Sequence, residues 1–369
     1  MEVKHLSRHD DRRTGLLLIN LGTPDSYRPR DVRRYLREFL SDPRVLDIPS
    51  WKRLLVLHLL ILPFRPHASG KAYAKIWTAH GSPLLVHGLA LRDRVRDRLG
   101  PQAIVELGMR YGRPSIAQAL ETICRRGAER IVVFPLYPQY SSAATGSSLE
   151  RVYQEVGRRV NAPCVEIVPP FYDHSAFIDA CAGVARPIVE AADAEMVFFS
   201  FHGLPERQIH KSDCVGTHCL ATADCCVRPS PAHRWCYRAQ CEATARRLAL
   251  ALRIAESKRV VCFQSRLGRD PWIRPQTDVV LAEHARRGVK RAVILSPAFV
   301  ADCLETLEEL GIRARGIWRE NGGQVLDVVP CVNSDDRWVE GVVRIAAETS
   351  PSLARLTRPT VAGKEAIEA

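Results

Sequence analysis

The feature that most limits the folds open to this chain is an internal repeat at fixed spacing. The segment RPSIAQALETICRRGAERIVVFP from Arg113 and the segment RPQTDVVLAEHARRGVKRAVILSP from Arg274 coincide at Arg113/Arg274, Pro114/Pro275, Arg126/Arg287, Gly127/Gly288 and Arg130/Arg291, always 161 positions apart. A second pair, EIVPPFYDHSAFIDACAGVA from Glu166 and DVVPCVNSDDRWVEGVVRIA from Asp327, keeps the same spacing through Pro169/Pro330 and Phe177/Trp338. The first pair reads as a helix, a glycine stop and a buried strand ending at proline. Strands alternating with helices in two similar halves predict an α/β protein with parallel sheets flanked by helices. The 369 residues divide accordingly into a polar tail (1–14), a first lobe (15–170), a second lobe (171–334) and a tail (349–369), with a helix at 335–348 crossing back onto the first lobe.

Residues 196–205, MVFFSFHGLP, are a continuous apolar run closed by a glycine turn, as expected of a strand buried on both faces. Residues 15–24, GLLLINLGTP, follow the same logic in the first half. His202 therefore falls at the carboxyl end of a parallel strand, where open α/β sheets bind ligands. It is a candidate for proton chemistry, with a structural histidine as the competing reading. In the same half, VILSPAF ends near Phe299 and is followed by ADCLETLEELG. Asp302 and Glu305 have the D-x-x-E spacing of a capping box, and residues 147–150 show similar grammar. Placed beside His202, Glu305 would instead complete a proton-accepting pair.

An excess of 53 Lys and Arg over 41 Asp and Glu, net +12, suits anionic partners. No nucleic-acid motif is present, so nucleic acid is not expected as a partner. The segment PSWKRLLVLHLLILPFR, residues 49–65, is apolar without respecting one helical face. It reads either as a buried core helix or as an apolar lip, with Lys52, Arg53 and Arg65 placed for an anionic membrane surface. Its apolar run is too short to cross a bilayer, and the polar N-terminus lacks a signal peptide, so the expected location is the cytoplasm, with peripheral contact on the inner face of the membrane. Monomer and homodimer both remain open.

Several motifs together resemble the ferrochelatases: NLGTPDS from Asn20, KIWTAHGSPL from Lys75, YPQYSSAATGSSL from Tyr137, FSFHGLPER from Phe199, QSRLGRDPWIRPQT from Gln264 and PAFVADCLETLEEL from Pro297. The resemblance implies two Rossmann-like, chelatase-type lobes around a porphyrin cleft. It also implies insertion of ferrous iron, as substrate, into a porphyrin. By motif, His202 and Glu305 are the pair implied in metal insertion and proton removal, and Arg110, Tyr111, Trp272, Phe299 and Asp302 match cleft-lining positions. Leu21 stands where coproporphyrin-type members carry tyrosine, which points to protoporphyrin IX. The rival reading is a non-catalytic two-lobed tetrapyrrole-binding or iron-sensing protein.

Six of the twelve cysteines lie between 214 and 241: Cys214, Cys219, Cys225, Cys226, Cys236 and Cys241. Such density after the His202 loop, in an insertion at 213–241, suggests a bound metal group. Zinc prefers close C-x-x-C pairs, which are lacking, whereas an iron-sulfur cluster takes four thiolates at irregular spacing. The resemblance favours a [2Fe-2S] cluster, since some bacterial ferrochelatases and the animal ones carry one. The animal ligand set does not transfer, because Cys331 is the last cysteine and Ser142 fills a position where that set has cysteine. Four of the six are expected to ligate, with Cys219, Cys226, Cys236 and Cys241 first.

Overall fold

The computed structural model describes residues 13–357 other than 267 and 269; the outer parts of both tails, 1–12 and 358–369, lie outside the described residues. The first half contains β1 (Thr14–Thr23), β2 (Ala103–Gly112), β3 (Arg130–Pro135) and β4 (Cys164–Ile167), ordered β2-β1-β3-β4. The second contains β5 (Met196–His202), β6 (Arg259–Gln264), β7 (Arg291–Leu295) and β8 (Val325–Val328), ordered β6-β5-β7-β8. All six neighbouring pairs are parallel. The two orders are the same once four is subtracted from each label, so the repeat in sequence is a repeat in topology. The resemblance between residues 16–21 and 196–201 is the equivalence of β1 with β5.

Each sheet is buried on both faces because successive side chains point to opposite sides. Leu17 and Ile19 enter a cluster with Ile116, Leu120 and Ile131, while Leu16 and Leu18 point the other way. In β5, Phe198 packs with Trp318 and Leu281, whereas Phe199 and Phe201 join the side that holds Leu16 and Leu18. The largest cluster thus draws on both sheets, and the halves share part of their core. The Asp336–Thr349 helix follows the second sheet yet lies on the Pro83–Leu99 helix of the first half, where Arg94 pairs with Asp336 and Arg98 with Glu340 at 2.6 Å. Its Trp338, fully buried, meets Phe171 and Phe177 with ring centroids 5.7 and 5.8 Å away.

The segment at 49–65 is not a buried core helix. It forms a short α-helix, Ser50–Leu55, that continues as a π-helix, Val56–Ile61. Leu57 and Leu62 anchor it, while Trp51, Leu54, Leu55, Leu59, Leu60 and Phe64 are 50–71% exposed. No described helix is long and apolar enough to cross a membrane.

Candidate active site

The first strand of each half closes at a glycine set tightly against its neighbours, and at Gly22 only glycine fits. Gly22 has φ +115°, and a Cβ there would stand 1.7 Å from the Tyr111 carbonyl oxygen. At Gly203 a Cβ would come within 3.1 Å of the Gln264 and Ser265 carbonyl oxygens and 3.2 Å of the Trp272 ring. The glycine of HGLP therefore lets Trp272 close on the turn directly behind His202. His202, half-buried, donates from Nδ1 to the Gly203 carbonyl at 2.6 Å. A carbonyl can only accept, so Nδ1 carries a proton, and in the neutral form of the ring the free lone pair is the one on Nε2. The Phe299 ring lies edge-on to the imidazole, with centroids 6.3 Å apart.

Glu305 opens a π-helix, Glu305–Ala314, that follows β7 and its loop. Burial pushes its carboxyl above the usual carboxylate range and the neighbouring Glu309 adds to this, opposed by His202 and by the Cys303 thiol, which donates to it. The other acids of that helix are partnered: Glu308 bonds Lys75 at 3.1 Å and Arg313 at 2.7 Å, and Glu309 bonds Arg313 at 2.8 Å and Ser265. Among the described residues Glu305 forms no ion pair with lysine or arginine, and an imidazolium at His202 would be the cation that favours its ionised form. A carboxyl that keeps its proton to higher pH, close to an imidazole, can exchange protons with it.

The capping-box reading of Asp302 and Glu305 does not hold. Leu304 already has helical φ and ψ, and no side chain caps the helix. The buried Asp302 carboxylate instead accepts from Thr306 Oγ1 at 2.9 Å, Asn333 Nδ2 at 2.8 Å and the Cys331 amide at 3.2 Å. It ties the loop before Glu305 to residues 331–333. Gln264, at the end of β6, acts similarly from the other side and was missed in the sequence. Its Nε2 donates to the Glu305 carbonyl at 2.8 Å, and its Oε1 accepts from Ser200 at 2.8 Å. A polar residue closing the apolar strand RVVCFQ was the available signal.

Arg110 and Tyr111 are held by a shared buried carboxylate. Asp42, also missed in the sequence, accepts from Arg110 Nη2 at 2.6 Å, the Tyr111 hydroxyl at 2.8 Å and Ser147 Oγ at 2.5 Å. Tyr111 is 0% exposed, so it backs the cleft through Phe39, whose ring meets it at 5.0 Å, and does not face a ligand. Burial alone would raise the Asp42 carboxyl, but the hydrogen bonds from Ser147, the Arg44 amide and Tyr111, together with the Arg110 charge, hold it below its usual range. The residues 147–150 likewise make no capping box, since Ser147 serves Asp42 and Glu150 pairs with Arg44 at 2.6 Å. Leu21 is partly buried beside Tyr35, Tyr111 and Leu304. Trp272 is half-buried, and Phe299 packs on Leu84, Ala301 and Cys303.

In the insertion, Cys219, Cys225, Cys226, Cys236 and Cys241 are buried and Cys214 is exposed. The Asp213 carboxylate folds the loop by accepting from the amides of His218 and Cys219, both at 2.8 Å. His218 and His233 each donate from Nε2 to the Cys225 carbonyl, at 2.7 and 2.8 Å, which commits that nitrogen of each ring to the loop backbone. Cys236 starts the Tyr237–Ala251 helix, and its thiol is lowered to about 6 by a hydrogen bond from Cys226, with further support from the Ala239 amide and Cys219. A thiolate at a helix N-terminus is the expected result. Cys225 and Cys226 sulfurs are 3.9 Å apart. Cys219, Cys226 and Cys236 are drawn together with Cys225 alongside, although no three His, Cys, Asp or Glu side chains among the described residues have metal-binding spacing as they stand. The donor set, clustered thiols of which Cys236 is held below the usual thiol range, suits a thiolate-bound group. Cys241 is fully buried.

The Ferrochelatase family profile matches residues 13–350. The chain belongs to the ferrochelatase family. A Ferrochelatase from Coxiella burnetii (strain Dugway 5J108-111) is 42% identical over 346 residues, covering 94% of this chain and 96% of the relative. A Ferrochelatase from Legionella pneumophila (strain Lens) is 44% identical over 336 residues, covering 91% and 99%. In three dimensions the chain is similar to the sirohydrochlorin chelatase SirB from Bacillus subtilis subspecies spizizenii in complex with cobalt, with TM-score 0.51, 11% identity and coverage of 92% of this chain and 96% of that one. That likeness concerns the chelatase fold alone. Four of the six ferrochelatase motifs quoted above lie at the ends of β1 and β5, around Trp272 and at the start of the Glu305 helix; the other two, at 75–84 and 137–149, lead into the Pro83–Leu99 helix and follow β3.

Proposed function

We propose that this chain inserts Fe2+ into protoporphyrin IX, forming protohaem and releasing two protons. The observation that carries the reading is His202, with Nδ1 fixed on Gly203 and Nε2 open, set near a half-buried Glu305. A free-base porphyrin loses two pyrrole N–H protons as the metal enters. In this reading His202 Nε2 accepts the first, Glu305 exchanges protons with His202, and the restored imidazole accepts the second. Fe2+ arrives hydrated, and imidazole and carboxylate are suitable replacements for its departing waters. Trp272 and Phe299 supply apolar surface for a flat macrocycle. Leu21 in place of a tyrosine supports protoporphyrin over coproporphyrin. The exposed apolar face of 49–65, bordered by Lys52, Arg53 and Arg65, supports peripheral contact with an anionic membrane, from which an apolar substrate could be drawn.

The insertion is proposed to hold a [2Fe-2S] cluster through Cys219, Cys226 and Cys236, with Cys225 as fourth ligand. Such a cluster would supply redox chemistry; the chain's own contribution is a thiolate held at a helix N-terminus. Protein purified without oxygen is expected to contain iron and acid-labile sulfide in equal amounts, and a colourless, iron-free preparation, or stoichiometric zinc, overturns the cluster. The catalytic reading is tested by mixing anaerobic protein, Fe2+ and protoporphyrin IX. Loss of porphyrin fluorescence with growth of haem bands is expected, and porphyrin binding without metallation favours the non-catalytic binding protein.

A further inference from the structure

The loop that leads to Glu305 is anchored by one asparagine. Asn333 lies beyond the end of β8, and its side-chain amide holds Asp302 at two points. Nδ2 donates to the buried Asp302 carboxylate at 2.8 Å, and Oδ1 accepts from the Asp302 backbone amide, also at 2.8 Å. The backbone N–H of Asn333 donates to the Val300 carbonyl at 2.8 Å. Asn333 has φ +49°, a left-handed conformation that asparagine and aspartate tolerate better than other residues with a Cβ. The clamp continues into the helix that Glu305 opens. Asp302 Oδ1 accepts from Thr306 Oγ1 at 2.9 Å, and that hydroxyl oxygen accepts from the Cys303 amide at 3.0 Å.

The fold itself does not require this clamp. The first half makes the matching backbone bond beyond the end of β4, from Phe171 to the Pro138 carbonyl at 3.1 Å. Its residues at the corresponding places, Tyr140 with Ser141 and Phe171 with Tyr172, include neither a carboxylate nor a side-chain amide. The half that has the clamp is the half that carries His202 and Glu305. Asn333 also stands two residues ahead of Asp335, which caps the Asp336–Thr349 helix, and Arg94 of the first half donates to the Ser334 carbonyl between them. The place of the Glu305 turn is thereby referred to both halves.

We propose that Asn333 is a positioning residue for Glu305, fixing through Asp302 and Thr306 the helical turn that carries its carboxyl. The inference rests on the proposed proton exchange between Glu305 and His202. Asn333→Asp keeps the backbone turn and the acceptor for the Asp302 amide, but sets an oxygen against the Asp302 carboxylate. It is expected to lower kcat about ten- to a hundredfold, up to the loss that about 1 Å of misplacement can cause, with KM for protoporphyrin IX unchanged. The Glu305 carboxyl signal of glutamate-labelled protein, identified by its absence in Glu305→Gln, should shift. Adding Asp302→Asn exchanges the two side chains and restores each hydrogen bond of the clamp, so kcat and the carboxyl signal should return most of the way to wild type. Asp335→Ala removes the helix cap and leaves the clamp, and its turnover per folded molecule should match wild type. An unchanged kcat and carboxyl signal in Asn333→Asp overturns the proposal, as does a loss that the exchange does not recover or that Asp335→Ala reproduces. If the wild-type chain itself does not metallate protoporphyrin, it is the proposed function that fails, and the carboxyl signal then decides on Asn333.

Discussion

Glu305→Gln separates chemistry from stability, because the amide keeps the shape of the side chain and removes its charge. In the folded protein this carboxyl titrates above its unfolded value, owing first to burial and then to Glu309. A folded pKa raised above the unfolded one gives stability that is present at low pH and lost as pH rises through the folded value. Each unit of displacement is worth about 1.4 kcal/mol at pH above both values. Glutamine removes that dependence, so the variant is expected to melt at or above the wild-type temperature at pH 8, with the difference disappearing toward pH 4. Turnover should nevertheless fall about 10²–10⁴-fold, the usual contribution of a positioned acid-base group. Melting curves across pH and anaerobic porphyrin metallation measure the two quantities on one preparation. A variant that melts well below wild type at pH 8 and turns over normally would refute the argument and return Glu305 to a structural role.

Two further outcomes test parts outside the pair. Asp42→Asn removes the common acceptor of Arg110, Tyr111 and Ser147 and is expected to cost about 3 kcal/mol, near the lower end for breaking a buried ion pair. Since the folded Asp42 titrates below its usual value, the wild-type advantage should persist at neutral pH and shrink as pH falls below about 4, which chemical denaturation at several pH values would measure. At the apolar face, Leu59→Glu with Leu60→Glu replaces side chains that are 62% and 66% exposed. Co-sedimentation with anionic vesicles should drop roughly a hundredfold, from loss of about 3 kcal/mol of apolar burial, while turnover of detergent-dispersed porphyrin stays near wild type.

What the chain discloses before folding is its periodic content. The 161-residue repeat carries the two sheets, and alternation within LLLI and VFFSF decides which side chains enter which core. The turn glycines Gly22 and Gly203 mark both strand ends. Less legible is whatever depends on distant partners. Asp302 looks like a cap within its own segment, but Asn333 and Cys331, about 30 positions away, capture its carboxylate. Asp42 becomes meaningful only when folding brings it to Ser147, 105 positions later. The π-turns at residues 56–61 and 305–314 break the 3.6-residue period, which is why 49–65 respected no helical face and the D-x-x-E spacing misled. Arg110 and Tyr111 matched cleft positions as a pair, yet Tyr111 turned into the interior on a network that no local spacing announces.

The central claim is that His202 accepts the porphyrin protons. It is tested most directly with His202→Ala, by measuring porphyrin binding and Fe2+ insertion under anaerobic conditions in the same samples. The account predicts binding close to wild type with insertion lost. Insertion at a near-normal rate in that variant would contradict it.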